Sequence, residues 1–135
     1  MISLVLPWPP STNHYYRTMV MRGPKPRAMT YISDEGKEFQ KNVKISIWEL
    51  LKAAPEKFMG RLSVSVTLYQ PNARSIDIDN RLKPLLDSLT KSGVWEDDSQ
   101  IDCLQISRGP ISRTNPRCEV TIEVIKPAEK ELFPE

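Results

Sequence analysis

Histidine and cysteine are nearly missing from this chain: one His and two Cys among 135 residues. A zinc centre built on several such side chains is therefore excluded, and two cysteines are too few for a disulfide scaffold. Cys103 and Cys118 read as reduced and buried, although neighbouring strands would let them form an adventitious disulfide. The single histidine, His14, stands in a proline-rich stretch beside tyrosines and reads as a surface-loop residue rather than a base. Glycine is scarce, five in all, and neither GxxxxGKS/T nor GxGxxG occurs, so no nucleotide cofactor is expected. No apolar run approaches the roughly 18 residues of a membrane-spanning helix. The segment MISLVLPWPP lacks the basic start and unbroken apolar stretch of a secretory signal. A cytoplasmic protein without a membrane partner is the expectation. One-signed charge is missing too: 19 Lys and Arg against 17 Asp and Glu leave a net charge of +2, which argues against a polycationic coat protein.

Hydrophobic residues make up 39% of the chain, enough for one core at this length. Residues 2–6 alternate as a strand that Pro7, Pro9 and Pro10 end, because proline cannot donate to a sheet ladder. Residues 11–32 form an exposed region with a hairpin whose second arm is 28–32. Ser33 is placed to cap a helix, with Asp34 and Glu35 at its positive end. Phe39, Val43, Ile47, Leu50 and Leu51 follow at near-helical spacing, and the helix must stop before Pro55. Leu62, Val64, Val66 and Leu68 alternate with polar residues, the pattern of a half-buried strand. A second helix is expected over 80–91, with Leu82, Leu85, Leu86 and Leu89 as its stripe. Pro84 is tolerable there because first-turn amides lack intrahelical partners, and Gly93 is a natural stop. Strands at 101–107 and 118–126 close the domain, and 127–135 reads as a loose tail. The expected class is α+β: a single domain over 1–126, a mixed β-sheet with two main α-helices packed on it.

The near-neutral total hides an uneven distribution. Residues 77–102 hold seven acids and three bases, a local charge of −4 that leaves +6 for the rest. Clustered carboxylates suit a hard divalent cation and the surrounding cations suit a polyanion; a solvated acidic loop is the plainer alternative. In Ile76-Asp77-Ile78-Asp79-Asn80, extended backbone would aim both carboxylates to one side. Two adjacent carboxylates repel, so a cation or base must compensate. The plainer alternative makes Asp79 a helix cap and Asp77 a partner for Arg74. Asp79, Lys83 and Asp87, spaced by four, line one side of a helix. They could form ordinary surface ion pairs, or set the Lys83 ammonium beside the carboxylates to offset charge on a phosphate. Asp97 and Asp98 follow the Gly93-Val94-Trp95 turn, and an antiparallel return would bring one of them back to Asp77 and Asp79.

Two stretches carry a resemblance. LPWPPSTN over 6–13, followed by Tyr15-Tyr16-Arg17, and DIDNRLKPLLDSLTKSGVWEDDSQI over 77–101 resemble the signature and catalytic core of the RusA family of Holliday-junction resolvases. The order of elements fits over most of residues 2–125. The resemblance implies a homodimeric, magnesium-dependent endonuclease, with manganese as a substitute metal, acting on four-way DNA junctions in recombination and repair. It implies paired symmetric cleavage leaving 5′-phosphate and 3′-hydroxyl ends. Carried over by motif position, Asp77, Asp79 and Asp98 are the catalytic, metal-holding carboxylates and Lys83 is the essential lysine. Asp87 matches a recurrent acid, and Asp97 is the lesser member of its pair. Arg17, Arg22, Lys25, Arg27 and Arg74 are candidates to track the phosphate backbone, and Tyr15 or Tyr16 to stack on exposed bases. The rival readings are a junction-binding protein without cleavage, a nuclease for other branched DNA, and a small interaction protein whose acids are surface charges.

Overall fold

Four strands form the central sheet, in the order β1 (Ile2–Pro7), β6 (Arg117–Lys126), β4 (Arg61–Tyr69), β5 (Ile101–Arg108). A computed structural model describes residues 1–127; the expected tail at 127–135 lies, beyond Pro127, outside the described residues. The β1–β6 and β6–β4 pairs are antiparallel and β4–β5 is parallel, so the sheet is mixed, as the sequence pattern predicts. A separate two-stranded hairpin joins β2 (Tyr16–Met21) to β3 (Arg27–Ile32). Among the described residues three helices accompany the strands: the single turn α1 (Thr12–Tyr15), α2 (Asp34–Leu51) and α3 (Leu82–Lys91).

The alternation along β4 decides which side is buried. Leu62, Val64, Val66 and Leu68 are almost fully enclosed, as are Leu4 and Leu6 of β1 and Cys118, Val120 and Ile122 of β6. They meet Phe39, Val43 and Ile47 of α2 and Leu85, Leu86 and Leu89 of α3 in one core. Leu50 departs from the expected stripe and stays exposed, while Leu51 packs at the margin.

The local signals at the helix ends hold. The Ser33 hydroxyl accepts from the Gly36 amide at 3.0 Å and donates to the His14 carbonyl, so it caps α2 and ties it to α1. Gly36 is required by proximity: a Cβ there would stand 2.7 Å from the Tyr15 carbonyl oxygen. Gly93 ends the α3 segment with φ +83°, its amide reaching the Thr90 carbonyl at 3.1 Å. Pro84 falls in the first turn of α3, where a missing amide is tolerated.

Three expectations change. His14 is exposed, as expected, but belongs to α1 rather than a loop, and its Nδ1 lies 3.0 Å from the Ser11 hydroxyl. Only Cys118 is buried; Cys103 is exposed on the edge strand. The two cannot face each other across neighbouring strands, because β4 separates β5 from β6.

Candidate active site

The segment linking β4 to β5 carries the candidate site acids Asp77, Asp79, Asp87, Asp97 and Asp98. After β4 the chain runs to a 3₁₀ turn at Ile78–Arg81, continues into α3, and returns through a second 3₁₀ turn at Asp98–Gln100. Ile78 packs against the core, while Asp77 and Asp79 on either side of it are exposed. The apolar residue therefore anchors the turn and leaves both acids facing solvent. Asp77, rather than Asp79, holds the cap position of the turn, but its side chain makes no capping bond. Asp79 sits on the 3₁₀ turn before α3, so the four-residue spacing to Lys83 and Asp87 does not run along one α-helix.

The ordinary explanations for these acids fail on geometry. The ion pairs among the described residues are Lys57–Glu96, Arg61–Asp102 and Arg117–Glu119. None of Asp77, Asp79, Lys83, Asp87 or Asp98 takes part, and Arg74 does not partner Asp77.

The double aspartate divides its roles. Asp97 accepts from the Ser99 hydroxyl at 2.6 Å and closes a reciprocal cap with Gln100 around the 3₁₀ turn. That hydroxyl holds its carboxyl below the usual range. Gln100 also donates to the carbonyls of Phe58 (2.9 Å) and Gly60 (3.1 Å), which fixes the turn against the sheet. Asp98 is left free of such work. Crowding by protein, then the neighbouring Asp97 and the field of Asp87, push its carboxyl up, and Lys83 opposes them. The return after Gly93 thus carries Asp98 into the neighbourhood of Lys83 and Asp87. Trp95 secures that return: it is fully buried and its indole N–H donates to Thr90 at 2.6 Å.

Lys83 and Asp87 have partners from the N-terminal signature. The Lys83 ammonium stands 5.3 Å from the centre of the Tyr16 ring. Tyr16 meets Tyr15 edge-on at 4.6 Å. Burial, then the fields of Asp87 and Asp98, raise the Tyr16 hydroxyl pKa. Tyr15 is fully enclosed. It is therefore unavailable to stack on DNA bases, which corrects the reading from sequence; its ring fills core space and its hydroxyl serves Asp87. Arg17, Arg22, Lys25 and Arg27 are all exposed along the β2–β3 hairpin, and Arg74 is exposed in the loop after β4.

Oxygen donors are the right chemistry for a hard divalent cation. Asp77 and Asp79 are unpaired and Asp98 sits among other carboxylates, so the donor types fit such an ion. Among the described residues, no three His, Cys, Asp or Glu side chains stand close enough to form a ready-made metal cage.

Sequence reasoning missed Gln70, Arg108 and Trp8. Gln70 is almost fully buried, and its amide organises the loop after β4. Its only signal was a polar residue closing an alternating strand, which does not mark it out.

A family model described as endodeoxyribonuclease RusA matches residues 7–123. The crossover junction endodeoxyribonuclease RusA of Escherichia coli (strain K12) is 34% identical over 124 residues, covering 89% of this chain and 92% of that protein. The relative from Enterobacteria phage 82 is 35% identical over 123 residues, covering 88% and 91%. The one from Enterobacteria phage HK97 is 42% identical over 105 residues, covering 78% and 80%. Together with the mixed sheet and the acids gathered along its crossover, these matches establish that the chain belongs to the RusA family of endodeoxyribonucleases.

Proposed function

We propose that this protein is a magnesium-dependent endonuclease that resolves four-way DNA junctions by paired, symmetric phosphodiester cleavage, acting as a homodimer in recombination and repair. The observation that carries the reading is the acid set itself. Asp77 and Asp79 are exposed without a cationic partner, and Asp98 lies within the fields of Lys83 and Asp87 while Asp97 alone does the capping. The names of the relatives supply the junction as substrate class.

Asp77, Asp79 and Asp98 are the residues that would hold Mg²⁺, with Mn²⁺ as a substitute. A bound ion of this kind polarises a phosphodiester and lowers the pKa of an attacking water. The Lys83 ammonium, on the exposed side of α3, offsets negative charge that builds on the phosphorus centre. Arg17, Arg22, Lys25 and Arg27 present a cationic ribbon to the phosphate backbone, with Tyr16 at its base. A twofold dimer matches the approximate twofold symmetry of a four-way junction and places one site on each of two opposed strands. The products are nicks with 5′-phosphate and 3′-hydroxyl ends.

The test is cleavage of a labelled synthetic four-way junction in Mg²⁺, beside linear duplex and an Asp79→Asn control. Paired symmetric nicks in the junction alone, reduced more than about a hundredfold in the variant, support the proposal. Tight junction binding without cleavage in Mg²⁺ or Mn²⁺ would make the protein an architectural binder. Cleavage of other branched DNA at equal rate would widen the substrate class.

A further inference from the structure

Next to the acid pair lies a feature of the opposite sign. The loop after β4 folds around Gln70, whose buried side chain (4% exposed) donates to the carbonyls of Asn72 at 2.7 Å and Arg74 at 2.8 Å. The same amide accepts from Arg108 Nη1 at 2.8 Å, and Arg108 Nη2 donates to the Ile76 carbonyl at 3.0 Å. Held this way, the loop forms one wall of a cavity of about 460 Å³ lined by Trp8, Gln70, Asn72, Arg74 and Arg81 among others.

Arg81 is fixed rather than free. Its guanidinium lies 5.0 Å from the centre of the Trp8 ring, and Nη1 donates to the Pro9 carbonyl at 2.7 Å. Its Nε is enclosed without an acceptor, an arrangement that costs stability. Burial lowers its pKa and the field of Glu35 partly restores it, yet no carboxylate stands within 4.0 Å of Arg74, Arg81 or Arg108 among the described residues. Arg61 and Arg117, by contrast, each find one. Arg74 and Arg81 thus line the cavity and Arg108 braces its wall, with no carboxylate in ion-pair contact with any of them among the described residues. Arg81 shares the 3₁₀ turn of Asp79, so whatever it binds is held beside the acids.

We propose that this cavity is a subsite for a backbone phosphate of the DNA strand, gripped by Arg81 and Arg74, with Trp8 and the Pro9 carbonyl orienting Arg81. The inference rests on the reading of the protein as a DNA endonuclease and adds to it the element that fixes where the strand passes Asp77 and Asp79. The planar fork of arginine, pre-oriented on an aromatic face, suits a phosphate better than a free lysine would.

The experiment is a scan with uncharged methylphosphonate linkages, placed one at a time along one strand of a four-way junction. Binding without divalent metal is measured as a function of salt for the wild type, Arg81→Gln, Arg81→Lys and Arg74→Gln, with thermal melting as the control for folding. A single linkage should weaken the wild type and have no further effect on Arg81→Gln. The salt slope of Arg81→Gln should fall by about one, and Arg81→Lys should recover part of it. Equal slopes and equal scans for wild type and Arg81→Gln would overturn the subsite and leave Arg81 as a clamp on the Trp8–Pro9 segment. If Arg81→Gln fails to fold, the exposed Arg74→Gln carries the same test at the same linkage. A wild type that binds duplex as tightly as the junction would refute the junction reading, and the scan is then run on duplex. Absence of binding to any DNA would overturn both.

Discussion

The Tyr15 hydroxyl donates to the Asp87 carboxylate at 2.6 Å, joining the single turn α1 to the middle of α3. Gln40 of α2 donates in turn to the Tyr15 oxygen, so three helices share one polar junction at the edge of the core. Burial, with Asp87 behind it, raises the Tyr15 pKa far above its ordinary value, and the phenol remains a donor at any working pH. Tyr15→Phe leaves Asp87 without its donor and should destabilise the fold by about 1.5–3 kcal/mol. Urea unfolding reads this directly. A midpoint equal to wild type would show that water replaces the hydroxyl without loss.

Asp98→Asn should separate stability from activity. The Asp98 carboxyl is raised by crowding and by Asp97 and Asp87, so the folded state binds its proton more tightly than the unfolded chain does. Ionisation as pH rises through the folded pKa therefore lowers stability. The amide removes that loss, and the variant should unfold later than wild type near neutral pH. The difference should vanish at about pH 3, below the unfolded carboxyl pKa. Cleavage should be lost at the same time. Unfolding at both pH values in metal-free buffer, beside a junction-cleavage assay, checks the two signs.

Asp97→Ala should behave in the opposite way. Loss of the cap around the 3₁₀ turn costs about 0.5–2 kcal/mol, and the loosened turn lets Asp98 wander. Cleavage should fall through a slower single-turnover rate with junction affinity intact. A variant as inactive as Asp98→Asn yet as stable as wild type would place Asp97 itself in the reaction.

Gly36→Ala tests the contact between α1 and α2. Alanine is the better helix former, but its Cβ would meet the Ile32 side chain and the Tyr15 carbonyl, each at 2.7 Å. The backbone cannot yield as a side chain would, so the substitution should destabilise by about 1–3 kcal/mol. A gain in melting temperature would mean that α1 shifts freely.

Much of this fold was legible because the signals were local. Alternation along β4, the Ser33 cap, the Leu85–Leu89 stripe and the Gly93 stop each depend on residues close in the chain, and each holds. What stayed hidden depends on partners far apart. Periodicity suggests a buried Cys103 but does not give strand order; β5 lies at the sheet edge, where Cys103 is exposed. The sequence does not separate Tyr15 from Tyr16 as a stacking candidate, because the polar partners of Tyr15, Gln40 and Asp87, lie 25 and 72 residues away. Spacing alone left Asp97 and Asp98 open and the resemblance favoured Asp98; the turn that Gln100 pins to Phe58 and Gly60 adds the structural task of Asp97. For the acids themselves, residue type and spacing marked the positions, and the fold shows which have no structural employment.

The parallel pairing of β4 with β5 has a kinetic consequence. Parallel neighbours need a crossover, and here the crossover is the whole stretch that carries Asp77, Asp79, Lys83, Asp87 and Asp98. Asp98 comes within the fields of Lys83 and Asp87 only when the chain has passed through α3 and turned back at Gly93. Pairings across such long connections form late. On the proposed function, a partly folded chain would expose the cationic β2–β3 hairpin before the acid-bearing crossover is complete, and cleavage would require the finished sheet.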